Sequence, residues 1–538
     1  MPALAPAAST ARLGDGVTSF DVRREKLVEI YDLAHGSVRK VTDNVLARRA
    51  FSAILFGLLA LIAANALVFG ALHTNPLPTE DSWYFIRSIL FPYYEGSLRF
   101  IDLFAHRGGG DYSQPIHRLL LLISAENFQL DFRFEFFVGY AALLLIPCLA
   151  AWALYVSNKH RGSNTIGVCA LLIFAVTLSL SSLNIYTWSL VMLGYINTLF
   201  AFSILFLIFF VNRDGIAWRV VLALLFCAAA LVMDSSAIVL FLSAALAIAM
   251  RDLPDYRRAA LNIAAPAIGL ILGVVALNAI TSALSLPNTT AGLDIGGALK
   301  LILSSELLTI LKAILSGTFV SYDLAEYLAP GNPDAYLVPF AFLAGALHIG
   351  FWVVYVFFTR FRRMPASQAA LLHYAAAIML FVYGLVAGMI LTRTPIYGAG
   401  YMFQPRYAAV YQLAIIPVAF AFYAAVRGFN WRPARHSLTI VLTLLTAGTA
   451  LLQLEASERA WAVGGYVNVF IKNQAEQMAV IDASPNLLPP GDCIHTVAPF
   501  CGLAPEERRR LIELMRAQDL SIYSDRFRRD HRLFVDIE

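Results

Sequence analysis

The chain has 538 residues, 59% of them hydrophobic and only 14% charged, with a mean hydropathy of +0.67. Soluble globular domains carry charge on about a quarter of their residues, so that class is excluded. The net charge of +4 says little by itself and suggests no nucleic-acid partner; what matters is where the positive residues sit.

Residues 1–50 are mostly polar and precede the first apolar run, which reads against a cleavable signal. Within them, "DVRREKLVEIYDLAHGSVRKVTDNVL" is helix-like, and both the inner leaflet and a protein partner remain open as its contact. Apolar runs of roughly 20 residues then recur from Phe51 almost to Leu454. Each is long enough to cross the hydrocarbon as a helix, which satisfies its own backbone. The predicted spans are 51–72, 135–156, 165–183, 188–211, 218–233, 236–250, 259–279, 336–358, 368–392, 408–426 and 437–454. The short pair 218–233 and 236–250 is open to reading as one broken or re-entrant element. Asp234, in the turn "LVMDSSAIV", is expected to cap the second of the two. Asn184, Asn197 and His348 read as polar glue between helices.

Basic residues fall in alternate loops. Arg12, Arg23, Arg24, Lys26, Arg39, Lys40, Arg48 and Arg49 precede the first span. On the same side come Lys159 and Arg161, Arg213, Arg251, Arg257 and Arg258, then Arg360, Arg362 and Arg363, and finally Arg427, Arg432 and Arg435. The turns around 181–187 and 233–236 hold none. Cytoplasmic loops are the Lys/Arg-rich ones, which places the N-terminus in the cytoplasm and, after eleven spans, the C-terminus outside. The expected fold class is therefore an all-α polytopic membrane protein of about 11 transmembrane helices over 51–454.

Its long outward segments are the first outer loop (73–134), an amphipathic stretch within 280–335, the loop 393–407 and the tail 455–538. In the first loop, "HTNPLPTEDSWYF" carries Glu80 and Asp81 just beyond the first span. "WYFIRSILF" and "SLRFIDLFAH" read as helices lying on the membrane with Arg87, Arg99 and Asp102 toward water. "AHRGGGDYSQPIHR" then gathers His106, Arg107, Asp111, His117 and Arg118 around three glycines that lack the ending of a phosphate-binding P-loop. His106 and His117 with Asp111 also leave a divalent metal ion open as a cofactor, although imidazole ligands favour zinc over magnesium or manganese. "GALKLILSSELLTILKAILSGTFV" has Lys300, Ser304, Thr309, Lys312 and Ser316 on one stripe, as in an interfacial helix. The tail is expected to form a small soluble α/β domain, in which Cys493 and Cys501 are spaced for a local disulfide.

An acid just past the first span, a long first outer loop, surface helices, many further spans and an outer C-terminal piece resemble the GT-C superfamily of polytopic glycosyltransferases. "HRGGGDYSQPIHRLLLL" and "RTPIYGAGYMFQPRYAAVYQ" (393–412) resemble paired signatures of a bacterial GT-C-like group, with Ala105 standing where that group has an acid before His106-Arg107. The resemblance implies transfer of a sugar from a polyprenyl-phosphate or pyrophosphate carrier to a lipid, glycan or other acceptor. It places the reaction at the outer face of a bacterial inner membrane, with the C-terminus in the periplasm. It implies a catalytic acid at Asp81, or at Glu80 one position away.

Independently of that resemblance, a lipid phosphate leaves as an anion that needs fixed cationic donors, for which arginine is best suited. Arg393 and Arg406 bracket the late outer loop and are the leading phosphate ligands. Arg118, Lys312, His117, His106, Arg107 and Tyr407 are further substrate-binding candidates, although Tyr397, Tyr401 and Tyr407 also fit a simple aromatic belt. A surface-polysaccharide polymerase or ligase, and a lipid or sugar transporter, are the competing readings. The early position of the acid-bearing loop weighs against the first, and the lack of internal repeats against the second.

Overall fold

The computed structural model describes residues 45–105, 113–158, 164–211, 215–253, 255–284, 294–362, 364–484, 493–494 and 496–530. The chain divides into residues 1–57 and residues 58–538; among the described residues, the first unit contributes only the opening turns of the helix Val45–His73. The second unit carries the helical bundle, its loops and the tail.

Among the described residues the secondary structure is helical, with no strand. Among the described residues ten helices are long and apolar enough to cross a membrane, which makes this a multi-pass helical membrane protein. The stretch predicted to span 165–183 is the shorter apolar helix Asn164–Thr177. Its 14 residues reach only about 21 Å, but Cys169, Leu172, Ile173 and Ala175 are wholly buried, so protein rather than lipid surrounds it. The pair Ile216–Met233 and Ser235–Asp252 consists of two complete helices, not one broken element. Asp234 between them does not cap the second; its carboxylate accepts the Ser113 N–H at 2.8 Å and so holds the first loop.

Burial separates central spans from peripheral ones. In Ala366–Tyr397, consecutive residues from Leu371 to Met379 are buried all round, and Pro405–Gly428 is buried over 89% of its apolar window. A helix that is apolar on every side belongs in the middle of a bundle. Asp334–Phe361, with 17% of its window buried, keeps its apolar surface outward, as lipid-facing helices do. Small residues let neighbours approach: a Cβ at Gly269 would stand 2.0 Å from the Ala223 carbonyl oxygen, and one at Gly273 2.6 Å from that of Cys227.

Hydrogen bonds between loops sort the helix ends into two groups. At one end, Thr74 donates to the Tyr186 carbonyl at 2.6 Å, Ser182 to that of Pro405 at 2.8 Å and Ser321 to that of Ser181 at 2.5 Å. At the other, Ser367 donates to the Ser157 carbonyl at 3.0 Å, Arg427 to Asn158 at 2.6 Å, Arg360 to the Met250 carbonyl at 3.3 Å and Arg362 to that of Gly428 at 2.5 Å. The first is the loop-rich end; Arg251, Arg360, Arg362 and Arg427 gather at the second.

The tail corrects one expectation. Its described residues form no α/β domain: the last span continues without a break as Arg432–Ala483, and the rest of the described tail is Ala498–Cys501, Pro505–Ala517, a short 3-10 turn and Asp525–Asp530. Polar tail sequence without a strand-like alternation carries no real β signal. The tail also changes the account of the first-loop helices. Ile86, Ile89 and Leu90 pack into one core with Ile471, Met478, Phe500, Leu511 and Met515 from the tail. Their apolar face is thus covered by protein, while Arg87 pairs with Glu507 and Arg99 with Asp102 at the exposed edge. The stretch around Lys312 forms two short amphipathic helices, Ile295–Ile302 and Glu306–Ser316, neither long enough to span.

Replacing Gly269 with Leu forces the Ile216–Met233 and Tyr256–Ala283 helices apart. Overpacking of this kind costs about 1–3 kcal/mol, so the melting temperature of the detergent-purified protein is expected to fall. An unchanged melting temperature would show that the two helices do not meet at this contact.

Candidate functional site

The site is assembled at the loop-rich end. Helix Ala366–Tyr397 stops where Gly398 adopts φ +80, a conformation that favours glycine. A short turn, Ala399–Phe403, follows, and Pro405 opens the next span at its first turn, where its missing N–H costs nothing. This geometry places Arg406 on the first turn of a span, facing back toward the loop. Its guanidinium donates to the Tyr401 hydroxyl at 2.5 Å and lies over three rings: Trp188 at 5.7 Å, Tyr401 at 5.8 Å and Tyr407 at 5.6 Å. Cation–π contacts of this kind hold a guanidinium without neutralising it. The Glu80 carboxylate is close enough for its charge to act on Arg406, and Arg393 close enough to act on Tyr407. The late arginines and the first-loop acid thus share one neighbourhood.

Two devices hold the acid in place. Asn75 donates to Gln474 Oε1 at 2.8 Å and Gln474 donates to the Pro78 carbonyl at 2.6 Å, so the wholly buried Gln474 fastens the start of the loop to the long last helix. Glu80 itself takes φ +43, which is uncommon for a residue with a side chain. The Thr496 carbonyl accepts both the Glu80 N–H at 2.9 Å and the Trp83 indole N–H at 3.1 Å. Thr496 lies within the loop closed by the Cys493–Cys501 disulfide, and Trp83 stacks on Phe500 of the same loop at 4.6 Å. Asp81 follows at the start of the helical turn Ser82–Phe85, partly exposed and without a cap hydrogen bond from its side chain.

The other candidates are placed differently. His117 is buried, bonded through Nδ1 to Gln114 at 2.8 Å and set edge-on to Phe85; burial pushes its pKa down to about 4, so it is neutral at physiological pH. Arg118 is fully enclosed, donates to the Asp102 carbonyl at 2.7 Å and sits over Phe85 at 5.7 Å. Burial pushes its pKa down to about 10 against the opposing charge of Asp102, leaving it cationic at neutral pH. It offers no surface to a ligand in this conformation. Lys312 pairs with Asp334 at 2.8 Å and lies 5.9 Å from the Phe403 ring, joining the amphipathic segment to the loop that carries Tyr401. His106, Arg107 and Asp111 lie outside the described residues. Among those described, no three His, Cys, Asp or Glu side chains come together in a way that could hold a metal ion.

Trp188, Gln474 and Thr496 belong to this site although nothing in their sequence context marks them. Only the threefold aromatic content of "YMFQPRY" hints at a cage. His348, at a different level, bonds the Tyr383 hydroxyl at 3.1 Å and links two spans. Compared with protein-family models, curated proteins and solved structures, the chain matches none.

Gln474→Ala leaves the Asn75 amide and the Pro78 carbonyl buried without their partner. Such a loss is worth about 1–3 kcal/mol. Thermal unfolding is expected at lower temperature, and proteolysis within residues 73–134 is expected to accelerate. Wild-type behaviour in both assays would show that Gln474 does not fasten the loop.

Proposed function

We propose that the protein is a GT-C-type glycosyltransferase. In this reading it moves a sugar from a polyprenyl phosphate or pyrophosphate to a lipid, glycan or other acceptor at the outer face of a bacterial inner membrane. The arginine-bearing end then faces the cytoplasm. The single observation that supports the reading is that the charge of Glu80, the neighbour of Asp81 in the first loop, reaches Arg406, whose guanidinium lies over the rings of Trp188, Tyr401 and Tyr407.

The chemistry asks for two opposed functions in one place. Asp81 accepts the proton of the acceptor hydroxyl as its oxygen bonds to the anomeric carbon. The bond from that carbon to the lipid-phosphate oxygen breaks, and the electron pair leaves with the phosphate. Arg406 and Arg393 stabilise the developing anion, and because Arg406 is held by Tyr401 and the surrounding rings before the reaction begins, it needs no reorganisation at that moment. Charge building at the sugar ring has oxocarbenium character and is favoured by the Glu80–Asp81 carboxylates. The aromatic rings around Arg406 limit its hydration, which strengthens its hold on a phosphate oxygen. A lipid carrier suits the location, since its headgroup sits at the level of helix ends and its tail lies among the spans.

The test is turnover of a panel of polyprenyl-phosphate sugars by the purified protein in lipid nanodiscs. Asp81→Asn is expected to lower kcat by about 100-fold or more, the usual worth of general-base catalysis. Arg406→Gln is expected to lower kcat/KM, with partial recovery in Arg406→Lys. Equal activity of wild type and Asp81→Asn removes Asp81 from the mechanism; absence of turnover on every donor contradicts sugar transfer.

A further inference from the structure

The end of the bundle away from the candidate site holds an open cavity of about 480 Å³. Phe358, Phe361, Arg362, Gln368, Arg427 and Asn430 are among its lining residues, none of which is acidic. We infer that this cavity seats the phosphate headgroup of an anionic membrane lipid, gripped by Arg362 and Arg427.

The two guanidinium groups are already oriented. Arg362 donates through one nitrogen to the Gly428 carbonyl at 2.5 Å and lies against Phe357 and Phe429 at 6.0 and 5.8 Å. Arg427 donates to the Asn158 side chain at 2.6 Å. A guanidinium has five N–H donors in a rigid fork, so these anchors fix the plane of each group while using few of its donors. Two guanidinium groups on one cavity, with no carboxylate among its described lining residues, form a setting for phosphate oxygens.

Position selects a lipid as the source of that phosphate. The lining residues belong to the ends of Asp334–Phe361 and Pro405–Gly428, the beginning of Ala366–Tyr397 and the short connections beside them, the level at which headgroups lie. Phe361, 76% exposed on the rim, is suited to the interface and to the first carbons of an acyl chain. Gln368 adds a neutral side chain to the wall and takes no part in anchoring either arginine.

The test uses the full chain, delipidated in detergent and titrated by native mass spectrometry with phosphatidylglycerol, phosphatidylcholine and glycerol 3-phosphate. Loss of one charge-assisted contact corresponds to about a tenfold change in affinity. Phosphatidylcholine carries the same phosphodiester, but its choline cation is repelled by the two arginines, so phosphatidylglycerol is expected to bind about tenfold more tightly. Arg362→Gln with Arg427→Gln should abolish that preference, and the paired Lys variants should restore part of it. Gln368→Glu disturbs no described hydrogen bond and adds a repelling charge. It is expected to weaken phosphatidylglycerol several-fold, and so tests the site even where the double Gln variant fails to fold. Equal phosphatidylglycerol binding by wild type and Gln368→Glu would overturn the inference. Displacement of the lipid by an equal concentration of glycerol 3-phosphate would also overturn it, by pointing to a soluble phosphate ligand.

Discussion

A guanidinium at the end of a membrane span must find an anion or stay in water, and Arg406 does neither completely. It is enclosed on three sides by aromatic rings and hydrogen-bonded to one of their hydroxyls. The opposite charge that acts on it comes from Glu80, more than three hundred positions earlier. Much of the loop-rich end can be understood as what brings these two groups together. The turn at Gly398 and the helix start at Pro405 fix the arginine, while Gln474 and the Thr496 carbonyl fix the acid.

That arrangement makes the C-terminal tail part of the site. Trp83 stacks on Phe500, and the backbone next to the acid bonds to a carbonyl inside the Cys493–Cys501 loop. A segment with positive φ at Glu80 is held by these contacts rather than by local preference. The amphipathic first-loop helices, which alone would need lipid to cover Ile86 and Ile89, find their apolar partner in the tail. One packing solution therefore serves both the stability of the loop and the aim of its carboxylates.

The spans are legible in the sequence because their signal is physical and repeated: about 20 apolar residues are needed to cross a bilayer, and such runs stand out in a chain with 14% charge. The interfacial reading of the Lys312 segment follows from its polar stripe, and the structure divides it into two helices too short to span. The tail defeats an α/β expectation because its buried residues recur at helical spacing, as Ile471, Ala475, Met478 and Ile481 do and as Arg508, Leu511, Ile512 and Met515 do, with no two-residue alternation. Gln474 and Thr496 are invisible for a different reason: each acts through long-range hydrogen bonds, one of them by a backbone carbonyl that any residue possesses. Arg118 is the opposite case, a residue whose type suggests ligand binding but whose surroundings enclose it.

The central claim is that the first-loop acid and the late arginine occupy one site, and a double-mutant cycle on Glu80 and Arg406 tests it most directly. Thermal or denaturant stability would be compared for Glu80→Gln, Arg406→Gln and the pair. If the two charges meet, the double variant should depart from additivity by about 0.5 kcal/mol or more, with the pair less destabilised than the sum. Additivity within about 0.3 kcal/mol would place them apart and contradict the account.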